Sequence, residues 1–327
     1  MLSNVLFQFI LVVLVLFASV QCQRKYSHSR EELKLTRNVV IGQAKCNGSQ
    51  LPIAIHSAAQ SSGKYYDRRQ VSRMTWVRQA KERGMRPIFF IGLPNDTETQ
   101  AELKLEANEY KDMVQFGFRD HYYNLTLKAL AVVRWMAKNC PTADYILKTD
   151  DDVLVNVPLL EEQVKEKEFA DGLTGKMMMT RSNRREGSKW FMPRDVYRYS
   201  YYRFLYGFSY LMSKNTLKKM YKVSKNLAEP VLDIDDLYMT GVVAGKARVL
   251  LYDDNRFDHY CGRDYCLMRE LISFHGCQTP NQTLRVWNYW RASDDWKCPN
   301  RTSDFEFNLG NFRITFGRNF GISFNSN

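Results

Sequence analysis

The chain has 327 residues, of which 45% are apolar and 25% charged, with 17 Gly and 9 Pro. That balance excludes disordered, collagen-like and coiled-coil chains and leaves ample core for one large domain or two small ones. Lys and Arg number 47 against 35 Asp and Glu, a net charge of +12, which favours partners of negative charge: nucleic acid, anionic membrane, acidic glycans or phosphorylated small molecules.

The first segment bears on compartment. No charged residue precedes Arg24, and Leu11–Phe17 is an unbroken apolar run. Residues 1–22 read as a secretory targeting segment, either a cleaved signal peptide or a single membrane anchor of barely sufficient length. Five sequons agree with a secretory route, at Asn47, Asn95, Asn124, Asn281 and Asn300. Beyond Cys22 there are six cysteines, an even number that suits disulfides in an oxidising lumen, and no CxxC pair suggests a metal site. A secreted or lumenal body makes nucleic acid an improbable partner for the basic surplus.

Residues 23–45 are polar and charged, a stem or linker before the folded domain. From Cys46 a repeated alternation begins. Leu51–His56 predicts a first strand. Asp67–Arg83 predicts one helix with Val71, Met74, Trp76 and Val77 on its inner face, closed by Gly84. Pro87–Leu93 predicts a second strand, and Asp96–Asn108 a helix that Thr97 can cap. Met113–Phe118 is a third strand, Leu125–Asn139 a helix, and Tyr145–Thr149 a fourth strand ending at Asp150. Strands alternating with helices imply βαβ units and a mainly parallel sheet, which binds ligands at the carboxyl ends of its strands. Beyond residue 170, strands are expected at Gly172–Met179, Tyr206–Met212 and Val249–Leu251, with helices at Thr216–Ser224 and Asp235–Ala244. The stretch Thr180–Tyr206 between the first two of these strands is dense in Arg, Lys and Tyr. Residues 281–327 read as a C-terminal extension.

Asp150, Asp151 and Asp152 therefore fall where ligands go. Like charges at a strand end repel, and burial raises their pKa; a divalent cation removes that penalty and shares its shell with substrate phosphates. The bland alternative is a solvated turn. No P-loop, dinucleotide Gly-x-Gly-x-x-Gly or Gly-x-Ser-x-Gly elbow offers another chemistry. A second acidic group, Asp233, Asp235 and Asp236, can supply a general base or merely cap a helix. His275 follows an apolar run and by itself reads as structural.

Taken in order, these segments resemble the inverting β-1,3-glycosyltransferases, the family of β-1,3-galactosyltransferases and β-1,3-N-acetylglucosaminyltransferases. Arg69-Gln-Val-Ser-Arg73-Met-Thr-Trp76 is similar to its Arg-x-x-x-Arg-x-Thr-Trp block. Tyr123-Asn-Leu-Thr-Leu-Lys128 is similar to Asn-Leu-Thr-x-Lys, and Lys148-Thr-Asp-Asp-Asp152 to Lys-x-Asp-Asp-Asp. Lys189-Trp190-Phe and Asp235-Asp236-Leu-Tyr-Met-Thr-Gly241 follow. The resemblance covers roughly residues 50–280. It implies an α/β GT-A nucleotide-diphospho-sugar transferase fold over 46–280, with a mainly parallel central sheet and flanking helices. It implies a UDP-sugar donor (UDP-galactose or UDP-GlcNAc), Mn²⁺, a glycan acceptor on glycoprotein or glycolipid, and a Golgi membrane location with a lumenal catalytic domain; the ER lumen or secretion are alternatives. By residue, Asp152 would bind the metal, with His275 nearby; Asp150 or Asp151 would touch the donor; Arg69, Arg73 and Lys148 would hold nucleotide and diphosphate; Asp236 would be the catalytic base; and Trp190 would line the acceptor site. The segment Tyr201–Tyr210 departs from the family pattern, which leaves donor identity open and supports a rival reading, a secreted non-catalytic glycan-binding relative.

In a sheet of order 3-2-1-4, the strands that follow Cys46 and Cys140 are parallel neighbours. Both cysteines then lie at one edge and are expected to pair. Cys261, Cys266, Cys277 and Cys298 leave three connectivities.

Overall fold

The sheet is built from apolar runs that can be buried on both faces, as parallel strands covered by helices require. The structure, a computed structural model, describes residues 27–166, 169–227, 231–259, 268–277 and 279–292, together with three C-terminal strands. The chain begins with α1 (Arg30–Leu35) and β1 (Val39–Gly42), then β2 (Pro52–His56), α2 (Lys64–Met74) and α3 (Trp76–Glu82). β3 (Arg86–Leu93), α4 (Thr97–Tyr110), β4 (Met113–Arg119), α5 (Leu125–Asn139) and β5 (Tyr145–Asp150) continue the alternation. After β6 (Val153–Val155) and α6 (Val157–Lys165) comes a long hairpin, β7 (Leu173–Arg181) and β8 (Tyr201–Ser213), followed by α7 (Lys214–Ser224). A π-helical turn (Leu237–Val243), β9 (Leu251–Asp253), β10 (Phe257–Asp258), β11 (Ser273–His275) and α8 (Pro280–Ala292) complete the body. β12 (Phe305–Leu309), β13 (Phe312–Phe316) and β14 (Gly321–Phe324) form an antiparallel sheet of their own.

The central sheet has the order β9-β7-β8-β5-β2-β3-β4-β1. Its four middle strands, β5, β2, β3 and β4, are parallel, while β8 runs antiparallel to β5 and β7, and β1 antiparallel to β4. This is the mainly parallel α/β architecture that the resemblance implies, with the middle strands in the order 3-2-1-4. Period-2 alternation sends Ala54, Ile88 and Phe90 to one face, packed with α5 and α7. Ile53, Ile55, Phe89 and Ile91 go to the other, packed with α3, α4 and α6.

Several boundaries differ from the sequence reading for identifiable reasons. The helix expected over Asp67–Arg83 is two helices, broken at Thr75 (φ −112°, ψ −117°), whose hydroxyl donates back to Val71 O at 2.7 Å. Val71, Trp76 and Val77 are buried as expected, but the break turns Met74 outward to 53% exposure. Asp96, not Thr97, caps α4, accepting from Thr99 N at 2.7 Å. Part of the expected stem is folded: β1 adds to the sheet edge, Ile41 and Ala44 are buried, and Leu33 of α1 packs on the core. The boundary expected at 280 does not end the core either, because α8 packs on α2 and buries Val286 and Trp287. The apolar segment 1–22 lies outside the described residues, among which no helix is long and apolar enough to cross a membrane.

Cys46, just before β2, and Cys140, at the end of α5, form a disulfide with their Cα atoms 5.4 Å apart. Cys277 is also disulfide-bonded, and Cys261, Cys266 and Cys298 lie outside the described residues. The Cys46–Cys140 bond closes a loop of sequence separation 94, so its loss should destabilise the chain by about 2–5 kcal/mol. Denaturant unfolding of the Cys46→Ser/Cys140→Ser variant checks this; an unchanged midpoint would show that the packing at this edge suffices without the bond.

Candidate active site

The carboxyl end of β5 carries three carboxylates into one cleft because Lys148 and Asp150 alternate along the strand and the chain turns at Asp151-Asp152. Asp151 N donates to His56 O at 3.0 Å, which pins this turn to the end of β2. Asp151 is buried, accepting from Ser57 Oγ at 2.6 Å and from Arg68 Nη1 at 3.3 Å. Burial, and then the neighbouring Asp152 charge, push its pKa up to about 7. Asp150 is likewise raised to about 6 by burial, against the opposing pull of Lys148.

Asp152 behaves differently. Burial opposes its ionisation, but the His275 hydrogen bond and the Arg68 charge outweigh that and hold its pKa below the ordinary carboxylate value. The contacts are 3.3 Å from His275 Nε2 and 3.0 Å from Arg68 Nη1. Strand pairing explains the meeting. β11 runs antiparallel to β6 with His275 opposite Val153, which delivers the imidazole to Asp152 from 123 residues away in sequence. Asp152 in turn raises the His275 pKa. Phe208 stacks on the imidazole with centroids 5.7 Å apart.

The second acidic group reaches the same cleft. Asp236 precedes the π-helical turn, which Thr240 fastens to β8: its hydroxyl accepts from Leu205 N at 2.8 Å and donates to Asp236 O at 2.7 Å. The carboxylate then lies against Gly207, whose N–H hydrogen-bonds it. A Cβ at Gly207 would stand 1.8 Å from Asp236 Oδ1. On its other side, Gly207 O accepts from Lys148 Nζ, which also holds Asp150 Oδ1 at 2.6 Å. Asp236 therefore sits half-buried beside Asp235, Lys148 and Asp150; burial, then the Asp235 charge, raise its pKa well above the ordinary value.

The connection between β7 and β8 approaches from the open side. Arg184 ties it together by donating to Met192 O, Tyr197 O and Tyr199 O. Trp190 is left half-exposed, with the Lys189 ammonium 4.3 Å above its ring, and its indole hydrogen-bonds Tyr122. Burial, then the charges of Asp235 and Asp236, push Tyr122 up to about 12, so this aromatic pair faces the second acidic group.

The structure thus brings together Asp150, Asp151, Asp152, His275, Lys148, Asp236 and the Trp190 edge. It corrects three expected contacts. Arg69 is fully buried and spends all five donors inside the protein, on Glu106 Oε1 (2.7 Å) and Oε2 (2.5 Å), Ser57 Oγ, Ala58 O and Gln60 O. Arg73 joins the same network through Glu106 (2.7 Å) and Asp112 (2.8 Å), with its guanidinium 4.0 Å from the Tyr110 ring centroid. Lys148 is 3% exposed with its ammonium already occupied. Arg69 thus has no free donor for a diphosphate, while Arg73 and Lys148 are buried and paired to carboxylates of the scaffold. Arg68 faces Asp151 and Asp152 instead, and the resemblance, which rests on Arg69 and Arg73, carries no signal for it.

Among the sequons, Asn47, Asn95 and Asn281 are exposed, and Asn300 lies outside the described residues. Asn124 is half-buried, its Nδ2 donates to Arg119 O at 2.8 Å, and Thr126 of its sequon is fully buried at the start of α5.

The galactosyltransferase family profile matches residues 67–255. The chain is 30% identical over 244 residues to mouse and human β-1,3-galactosyltransferase 1, covering 72% of this chain and 73% of those proteins. It is 29% identical to human β-1,3-galactosyltransferase 2, covering 80% of this chain and 63% of that protein. A structure of the galactosyltransferase LgtC with donor and acceptor sugar analogues aligns at TM-score 0.37 and 12% identity, over 74% of this chain and 99% of that one. A glycosyltransferase acting on the major capsid of PBCV-1 aligns at TM-score 0.38 and 12% identity, over 72% and 98%. On the strength of the profile and the sequence relatives, the chain belongs to the galactosyltransferase family and is a β-1,3-type glycosyltransferase.

Proposed function

We propose that the chain transfers galactose from UDP-galactose to the 3-hydroxyl of a glycan on glycoprotein or glycolipid, with inversion, in the Golgi lumen. The relatives' activity supports the sugar and the linkage. The observation that carries the reading is Asp236, a half-buried carboxylate of raised pKa placed between the Lys148–Asp150 pair and the Trp190–Tyr122 edge. A base with those properties can take a proton from a hydroxyl that attacks an anomeric carbon.

Asp152 and His275 supply an oxygen and a nitrogen that open to the cleft, with side chains 18% and 37% exposed. No group of three or more metal-ligating side chains forms among the described residues. A divalent ion held by the oxygen and nitrogen of this pair would complete its shell with substrate phosphates and water. Mn²⁺ there would offset charge on the leaving diphosphate. Arg68 adds a protein cation at the same carboxylates. Asp150, the more exposed of the pair Asp150 and Asp151, is placed to accept hydrogen bonds from the donor sugar or ribose. Trp190 offers an aromatic face to the acceptor, and Lys189 above it favours an acidic one.

Replacing the base should separate chemistry from binding. Asp236→Asn should lower kcat by about 10²–10⁴-fold while UDP affinity survives; retained turnover would require a different base. A panel of UDP-sugars with and without Mn²⁺ tests the donor: turnover with UDP-GlcNAc and not UDP-galactose would reassign the sugar. Turnover with neither would favour a glycan-binding relative.

Gly207→Ala tests the seat of the base independently. Its Cβ would displace the Asp236 carboxylate, so kcat should fall about hundredfold with the fold intact by circular dichroism. Wild-type turnover would show that the carboxylate position is not critical.

A further inference from the structure

Away from the cleft, α1, α5 and the C-terminal end of α7 enclose a groove of about 410 Å³. Five cations line it, Arg30, Lys34, Arg37, Arg134 and Lys225, and no acidic side chain does so among the described residues. Four of the five are exposed at its rim; Arg134 is 7% exposed and forms its floor.

Arg134 is unusual in its partners. Nε donates to Ser224 Oγ and Nη1 to Leu33 O, both at 3.4 Å, with shorter bonds from Nη1 to Thr36 Oγ1 and from Nη2 to Ser224 O. Every acceptor is neutral. A guanidinium has five donors, so one N–H on Nη2 is left with no acceptor among the described residues. Burial, and then the like charge of Arg37, lower its pKa to about 10. A buried cation without a counter-charge is costly, and an anion in the groove would remove that cost. Arg69 and Arg73 show the contrast, since each meets a buried carboxylate.

We propose that this groove binds a phosphate-bearing anion, held by Arg134 at the floor and by Arg37 and Lys225 at the rim. Guanidinium forks match phosphate oxygens in pairs, and clustered positive charge favours a multiply charged ligand. The site is separate from the transferase cleft: no lining residue belongs to β5, β6, β8 or the Asp233–Asp236 segment. The phosphate can come from a soluble ester or diphosphate, or from a phospholipid headgroup.

The test uses the full chain and the exposed pair Arg37→Glu/Lys225→Glu, leaving the buried bonds of Arg134 untouched. Isothermal titration with inorganic pyrophosphate, in saturating UDP to occupy the nucleotide site, reads the soluble arm. Flotation with phosphatidylcholine vesicles, with and without phosphatidylserine, reads the lipid arm. A weakening of pyrophosphate binding by about tenfold or more in the variant supports a soluble phosphate. Loss of the phosphatidylserine-dependent part of vesicle binding supports a headgroup. Equal behaviour of wild type and variant in both assays, or wild-type binding of neither probe, overturns the proposal.

Discussion

Gly207 stands where the two acidic groups of the sequence converge. Its carbonyl accepts from Lys148, which holds Asp150, and its N–H meets Asp236, whose oxygen lies where a Cβ would be. Two carboxylates that would otherwise repel are spaced by the Gly207 backbone, with one buried ammonium bonded to Asp150 and to the Gly207 carbonyl. The antiparallel pairing of β8 with β5 sets this register, and Thr240 locks the Asp236 turn onto β8. Asp150 on the proposed donor side and Asp236, the proposed base, are thus parts of one hydrogen-bonded unit, and Trp190, proposed to meet the acceptor, lies in the connection of the same hairpin.

Much of this could be read from the residues. Continuous apolar runs at Leu51–His56, Pro87–Leu93, Met113–Phe118 and Tyr145–Thr149 can be buried on both faces, so they marked the parallel strands within a residue or two of their ends. The three aspartates followed from the rule that ligands meet such strands at their carboxyl ends. What the sequence concealed was the destination of each cation. Arg69 and Arg73 belong to a buried network because Glu106 and Asp112, distant in sequence, wait behind α2, and that pairing is set by tertiary contact. Arg68, one residue away, points to the carboxylates because neighbouring helical positions differ by about 100°. The break at Thr75 is accompanied by hydroxyl back-bonds to Val71 O and Ser72 O, which helical periodicity cannot register. His275 looks structural in isolation; the resemblance puts it near Asp152, and the pairing of β11 with β6 brings the two to 3.3 Å.

The charge surplus divides in the same way. The cations expected to bind diphosphate are largely neutralised inside the protein, which leaves Arg68 at the cleft and Lys189 at the acceptor edge. A further share collects in the groove between α1, α5 and α7, whose lining is basic but for neutral residues, with Lys34 alone of its cations paired to an acid, Glu31 at 2.7 Å, among the described contacts. The net charge of +12 is thus spread over at least two separate basic places, Arg68 with Lys189 and the groove.

The central claim is single-step transfer with inversion at a site assembled around Gly207. It is tested most directly by the stereochemistry of the product. Incubating the chain with UDP-galactose, Mn²⁺ and a panel of glycan acceptors, then assigning the new glycosidic bond by proton NMR, reads configuration and linkage together. The account predicts a β-linked galactose on a 3-hydroxyl. An α-linked product would contradict direct displacement assisted by Asp236.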